Sequence, residues 1–244
     1  MIIVENLSKS FNGRAVIKSF SHRFPEDRIT FIIGARGSGK TTIVKCMVGL
    51  LRPDGGKVIY DGVDFYMVSR KKRMEIYRNM GFVFQGGALF DSLTVEENVM
   101  FPLKVLTDMG IKEMKERARW ALERVGLADV GSKFPSELSG GMRKRAAIAR
   151  GIVTNPRYFF FDEPTSGLDP DTSRKIDALI KELTTELKTS TIVISHDIRS
   201  VLEIADEVIF ISKGEIEWVG TPQEMLQTDN LLLRGMIANA LVAS

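Results

Sequence analysis

The chain has 244 residues, with 34 Lys and Arg against 31 Asp and Glu, a formal net charge of +3. Its 44% hydrophobic and 27% charged content excludes gross disorder, its length suffices for a sizeable core, and so small a charge gives no reason to expect nucleic acid as a partner. The single cysteine, Cys46, excludes an intramolecular disulfide framework and any Cys-cluster metal site, and fits a reducing compartment.

From Met1 to Glu5 the chain shows neither a basic n-region nor a cleavage site, so no signal peptide is expected. No segment approaches about 20 uncharged apolar residues, so no membrane span is expected either. A cytosolic protein is the default, with attachment to a membrane through something that spans it. Val16, Lys18, Phe20, His22 and Phe24 alternate with other residues as a strand would, and His22 reads as structural. Thr30 to Ile33 is a short apolar run ending at Gly34. Gly34-Ala35-Arg36-Gly37-Ser38-Gly39-Lys40-Thr41 follows, then Thr42 and a helical pattern running from Thr41 to Leu51. Cys46 falls among Ile43, Met47 and Val48 of that helix and reads as a small buried hydrophobe. Pro53-Asp54-Gly55-Gly56 is a turn, and Lys57 to Tyr60 a strand leaving it. Arg70-Lys71-Lys72-Arg73 reads as a solvated helix face rather than a lipid-headgroup site.

The middle of the chain is helical. Thr94-Val95-Glu96-Glu97 predicts a capping box. Ile111, Met114, Ala118, Leu122 and Val125 mark one face of a second helix, ended by Gly126. Tyr158 to Phe161 is apolar enough for a strand buried on both faces. Ile176, Leu179, Ile180, Leu183 and Leu187 stripe a helix with Pro170 near its start. Thr191 to Ser195 and Glu207 to Ser212 are further strands. Leu231-Leu232-Leu233 with Met236, Ile237 and Leu241 is apolar at helical spacing, and packs either on its own core or on a partner. Alternation of strand and helix predicts a mostly parallel sheet covered by helices, and Gln85 to Arg150 interrupts it as an inserted helical subdomain.

Gly34 to Thr41 matches G-x-x-x-x-G-K-[ST] after a buried strand and at a helix start, the context that makes a polyphosphate-binding loop. Lys40 would reach the β- and γ-phosphates and the Thr41 hydroxyl would ligate Mg²⁺. Asp162 and Glu163 end the apolar strand, where α/β proteins bind ligands. Asp162 would hold Mg²⁺ through a water, and Glu163 would polarise an attacking water.

Leu138-Ser139-Gly140-Gly141-Met142 before a helix, Asp162-Glu163-Pro164-Thr165-Ser166-Gly167-Leu168-Asp169 after a strand, Gln85 at one strand end and His196 at another then fall in one order. The set resembles an ABC-type ATPase, the nucleotide-binding subunit of ATP-driven transporters, over about Ile2 to Leu226. The resemblance implies a phosphate-loop, RecA-like α/β core with an N-terminal antiparallel β part: a single ABC ATPase domain over 1–244, with 1–84 and 156–226 as nucleotide-binding core, 85–155 as helical subdomain and 227–244 as a helical tail. It implies that ATP binds through Phe11, stacked on adenine, and through Gly34, Ala35, Arg36, Gly37, Ser38, Gly39, Lys40, Thr41 and Thr42. Glu163 is then the general base, His196 contacts the γ-phosphate, and Gln85 senses metal and water beside the groove that receives a transmembrane permease. Mg²⁺ is held by Thr41, Gln85 and, through water, Asp162. Ser139, Gly140 and Gly141 bind the nucleotide of a second subunit and Asp169 crosses that interface, so a homodimer or a pair with a related cassette is expected.

Two positions depart from the family. Met142 stands where Gln is common and cannot donate a hydrogen bond. Arg36 stands where Ser or Asn is common, and either adds charge near the phosphates or the facing subunit, or points into water. The segment Gly86 to Val95, with Glu97-Asn98-Val99 and Phe101-Pro102-Leu103, is similar to the ATPases of Mla-type, Mce-associated phospholipid transporters of double-membrane bacteria and plastids. That resemblance implies permease, Mce-type and accessory subunits, no nucleic acid, and a place on the cytoplasmic face of the inner membrane. Another small-molecule importer, such as for amino acids, is the alternative. A non-transport ABC protein is disfavoured by the single uninterrupted cassette, and a phosphotransferase by the Ser139 signature, which gives no reason for an acceptor pocket.

Overall fold

The computed structural model describes residues 1–242. In chain order its elements are β1 (Ile2–Phe11), β2 (Arg14–Phe24), β3 (Arg28–Ile33), α1 (Lys40–Met47), β4 (Gly55–Tyr60), β5 (Val63–Asp64), α2 (Arg70–Arg78), β6 (Met80–Val83), α3 (Val95–Leu106), α4 (Ile111–Arg124), α5 (Gly140–Ile152), β7 (Tyr158–Asp162), α6 (Pro170–Leu187), β8 (Ser190–Ile194), α7 (Ile198–Ile204), β9 (Glu207–Ser212), β10 (Glu215–Gly220), α8 (Pro222–Leu226) and α9 (Leu231–Val242). The chain divides into two compact units, Met1–Arg73 with Ser190–Ser244, and Met74–Thr189.

In the first unit the strands run in the order β5-β4-β1-β2-β10-β9-β3-β8. β3 pairs in parallel with β8 and β9, while β1, β2, β4 and β5 pair antiparallel. Parallel strands covered on both faces carry nearly continuous apolar runs, as in Ile29 to Ile33 and Val208 to Ile211, all buried and all apolar apart from Thr30. β2 departs from strict alternation. Its register against β1 passes from Lys9↔Ile17 to Leu7↔Phe20, so β2 carries one extra residue there. That bulge switches the inward face to Ile17, Phe20 and Phe24, leaving Lys18 exposed and Val16 half-buried. His22 is structural as expected: its Nε2 lies 2.9 Å from Glu207 Oε2 and its ring meets Phe24 edge-on.

The helix α1 stops at Met47, short of the expected Leu51, because Gly49 turns into the left-handed region and Leu50 is exposed. Cys46 is buried, and burial pushes its thiol up to about 11. Arg70, Lys71 and Lys72 are solvated as expected. Arg73 is not: it donates to Phe65 O at 3.2 Å with its guanidinium 5.3 Å from the Phe65 ring. At the C-terminus α9 packs on α7 and α8 through Leu233 and Ile237, with Leu231 and Leu232 exposed. The side chain of Leu241 and the tail's last residues, 243–244, lie outside the described residues.

In the second unit β6 and β7 pair in parallel, and α3, α4 and α5 pack on one another. β7 is buried along its whole length, with Phe160 stacked on Phe82 of β6. The α3 capping box forms as expected: the Thr94 N–H donates to the Glu97 carboxylate at 2.8 Å and the Glu97 N–H to Thr94 Oγ1 at 3.2 Å. α4 buries Met114, Ala118 and Leu122, but Ile111 is 58% exposed. It is the first helical residue, a turn beyond the packed face. Gly126, at φ +67°, ends this helix, and α6 buries Ile176, Leu179, Ile180 and Leu183 behind Pro170.

Candidate nucleotide and catalytic site

The phosphate loop lies in the first unit between β3 and α1. Gly34 has φ +151°, and a Cβ there would sit 2.2 Å from the Ile211 carbonyl oxygen and 2.9 Å from Ser38 Oγ, so no other residue fits without displacement. No side chain caps α1 and its first turn has no acid, which leaves its N–H donors and partial positive charge for an anion. Ser38 Oγ is buried without a hydrogen-bond partner. An orphaned hydroxyl of this kind suits a phosphate oxygen. Lys40 is only 8% exposed, and its ammonium donates to Gly34 O at 2.7 Å and Ala35 O at 3.0 Å. Thr41 and Thr42, half-buried, continue α1.

Beside the loop opens a cavity of about 1140 Å³. Its wall carries the cations Arg14, Lys18, Arg36 and Lys213 and an apolar side from α9, Leu232 and Met236. Arg36 is exposed and lines this cavity. The contribution of α9 was not readable from its apolar spacing. Phe11, at the end of β1, is 42% exposed with Lys9 Nζ 5.5 Å from its ring centroid. His196 follows β8 and is exposed, while the next residue, Asp197, caps α7 by accepting from the Arg199 N–H at 2.9 Å.

The second unit holds Gln85, Ser139 to Gly141, Asp162, Glu163 and Asp169. Asp162, 8% exposed, ends β7, and Glu163 turns to φ +51°. A side chain with a Cβ adopts that conformation at a cost of about 1–2 kcal/mol.

Ser139 is the N-cap of α5, accepting from the Met142 N–H at 3.2 Å, and Asp169 is the N-cap of α6, accepting from the Thr172 N–H at 2.9 Å. Hydrogen bonds from the Thr172 side chain and backbone hold the Asp169 carboxyl below its ordinary range. Ser139, Gly140, Gly141 and Asp169 line one cavity of about 520 Å³, with Arg145 and Lys175 on its wall. A Cβ on Gly141 would come within 2.7 Å of Thr172 Cγ2, so α5 and α6 approach here only through glycine. The structure therefore brings together the signature and Asp169, which stand thirty residues apart in the sequence.

Three residues that hold this unit's loops were not singled out from the sequence. Asn98, fully buried in α3, accepts from the Phe90 N–H at 2.7 Å and donates to the carbonyls of Phe90, Leu93 and Thr94 at 3.0–3.1 Å. Arg150 of α5 donates to Gly87 O at 2.8 Å and Ala88 O at 2.7 Å. Lys144 of α5 donates to the carbonyls of Gln85 and Glu163. An amide directly before the apolar run Val99 to Leu103 was a signal for Asn98. The two cations sit in an ordinary basic helix and gave none.

A phosphate-binding loop between a parallel strand and a helix, with a Ser139-capped glycine helix start in the other unit, defines a nucleotide-binding cassette. Residues 17–166 match the model of the ABC transporter family, and the chain belongs to that family. It is 37% identical, over 95% of its own length and 88% of the relative's, to the intermembrane phospholipid transport system ATP-binding protein MlaF of Haemophilus influenzae. It is 35% identical to the sulfate/thiosulfate import ATP-binding protein CysA of Synechocystis, over 93% of this chain but 62% of that one. Among solved structures it resembles the dimeric ATP-binding cassette MJ0796 in a post-hydrolysis state bound to ADP and Pi. The TM-score is 0.82 at 31% identity, over 91% of this chain and 99% of that one. The fold is the phosphate-loop ATPase fold, and the family's reaction is ATP hydrolysis with Mg²⁺.

Proposed function

We propose that this chain is the ATP-hydrolysing subunit of a transporter that moves phospholipid between membranes of the bacterial cell envelope. The observation that supports it most is the 37% identity to the phospholipid-transport ATPase over 95% of the chain. In this reading two copies of the chain form the working dimer, as in the dimeric cassette. They attach to a transmembrane permease at the cytoplasmic face of the inner membrane, with Mce-type and accessory subunits completing the assembly. No helix among the described residues is long and apolar enough to cross a membrane, which accords with attachment through a permease.

The residues take these roles. The loop Gly34 to Thr42 and the α1 start surround the polyphosphate with N–H donors, and Phe11 stacks on adenine. Lys40 exchanges its loop carbonyls for the β- and γ-phosphate oxygens. Thr41 and Asp162, with Gln85, are hard oxygen donors of the kind Mg²⁺ takes beside substrate phosphates, and the ion neutralises phosphate charge when bound. Glu163 accepts the proton of the attacking water while His196 donates to the γ-phosphate. Ser139 to Gly141 offer helix N–H groups to the nucleotide of the second subunit, and Asp169 meets that subunit. Met142 contributes no side-chain donor there.

The surface offered to the permease is the segment Gly86 to Val95. Arg150 and Asn98 fix its backbone, and the Phe90 ring stands exposed 4.7 Å from Phe101. An aromatic pair exposed where a fixed loop meets α3 suits an apolar partner segment. The test is the reconstituted complex supplied with labelled phospholipid and, in parallel, labelled amino acids. ATP-dependent lipid transfer is expected. Amino-acid uptake without lipid transfer would replace the phospholipid reading by an importer one and leave the ATPase reading standing.

A further inference from the structure

Lys144 is 6% exposed on the second turn of α5, four residues beyond the Gly140 that starts the helix. A buried ammonium is unfavourable unless its donors are satisfied. Here two of the three reach main-chain carbonyls, that of Gln85 and that of Glu163 at 3.2 Å. Burial lowers the pKa of the amine below the ordinary lysine value, while the charges of Asp162 and Glu163 act to raise it. A purely packing role would be met by an apolar side chain of the same length. What the ammonium adds is a pair of directed, charge-assisted hydrogen bonds.

The two carbonyls belong to different parts of the machinery. Glu163 holds a left-handed backbone, and its carbonyl is one of the groups that fix that peptide. Gln85 opens the segment whose next residues, Gly87 and Ala88, are gripped by Arg150 two turns further along the same helix. We propose that Lys144 is a positioning residue that ties the Gln85 loop to the Glu163 peptide, so that movement of that loop on permease engagement resets the aim of the Glu163 carboxylate. The inference rests on Glu163 as the base.

The experiment compares Lys144→Met, Lys144→Arg, Glu163→Gln and the Lys144→Met/Glu163→Gln pair in the isolated subunit and in the reconstituted permease complex. It reads kcat, KM for ATP, nucleotide affinity by fluorescent-analogue titration, and stimulation by permease. Lys144→Met should lower kcat about tenfold to a hundredfold, leave nucleotide affinity unchanged and abolish permease stimulation. Lys144→Arg should restore most of both. The double variant should be no slower than Glu163→Gln alone, the non-additivity expected of one residue acting through another. Should Lys144→Met fail to fold, Lys144→Gln takes its place with the same expectations. Unchanged kcat and stimulation in the Met variant overturn the proposal, as does a loss of kcat matched by equal loss of affinity with no recovery in Lys144→Arg. Near-normal turnover in Glu163→Gln overturns the base assignment and this link together. An inactive Glu163→Gln beside a fully active Lys144→Met overturns the link alone.

Discussion

The phosphate loop after β3 and the segment after Gln85 are both loops between a strand and a helix, yet they are held by opposite means. The first is shaped mostly from within, with one tie from outside, the Gly214 N–H donating to Ser38 O at 3.2 Å. Its bends fall at Gly34, Gly37 and Gly39, and Lys40 turns back on the carbonyls of Gly34 and Ala35 while Arg36 stays exposed. The second is clamped from outside. Its carbonyls at Gln85, Gly87 and Ala88 are bound by Lys144 and Arg150 of α5, about sixty residues later, and its end by Asn98. A loop shaped by its own glycines binds the same ligand in any member of its class. A loop clamped by distant side chains moves with the helix that clamps it, which suits a surface that must transmit the docking of a partner.

Breaking the first loop should have the largest effect. Lys40→Ala takes the cation off the phosphates and should lower hydrolysis by about two orders of magnitude or more, with nucleotide binding weakened in a titration. Retained turnover would remove Lys40 from the site. Gly34→Ala sets a Cβ 2.2 Å from the Ile211 carbonyl oxygen. It should destabilise the first unit by about 1–3 kcal/mol and weaken nucleotide binding, read together in urea unfolding and titration.

The second loop should fail differently. Asn98→Ala takes away the acceptor of the Phe90 N–H and the side-chain donor to Leu93 O, while Phe90 O and Thr94 O keep their backbone donors, at a cost of about 1–3 kcal/mol. Proteolytic nicking within residues 87–94 should rise, with ATP affinity unaltered. Arg150→Met should spare ATP binding by the subunit but abolish its capture by permease; ATP binding lost in step with capture would show that the two loops are not separately held. The smallest effect concerns Cys46, whose buried thiol is pushed up to about 11. Thiol reagent at pH 8 should label it only as the chain unfolds, and rapid labelling of the folded protein would contradict its place on the buried face of α1.

The same contrast explains what was legible in the sequence. Apolar runs such as Tyr158 to Phe161 and Thr30 to Ile33 announce strands because burial on both faces leaves little choice of residue. Gly34 to Thr41, the Thr94 capping box and the Ser139 start of α5 were readable because each rests on bonds within a few residues. What escaped depends on distant partners. The bulge that turns Phe20 inward is set by register against β1, and the exposure of Ile111 by where the neighbouring helices end. Lys144 and Arg150 look like any basic residues of a helix until the loops they grip are in place. The wall that α9 gives to the phosphate-loop cavity depends on how α7 and α8 seat it.

Glu163→Gln tests the central claim most directly. The substitution keeps size and hydrogen bonding but removes the proton acceptor. Measured in a single-turnover assay beside size-exclusion chromatography with ATP and Mg²⁺, the variant should bind ATP normally, leave it unhydrolysed and accumulate as a dimer. Hydrolysis at near the parent rate would contradict the assignment of Glu163 as the base, and with it the mechanism given for this ATPase.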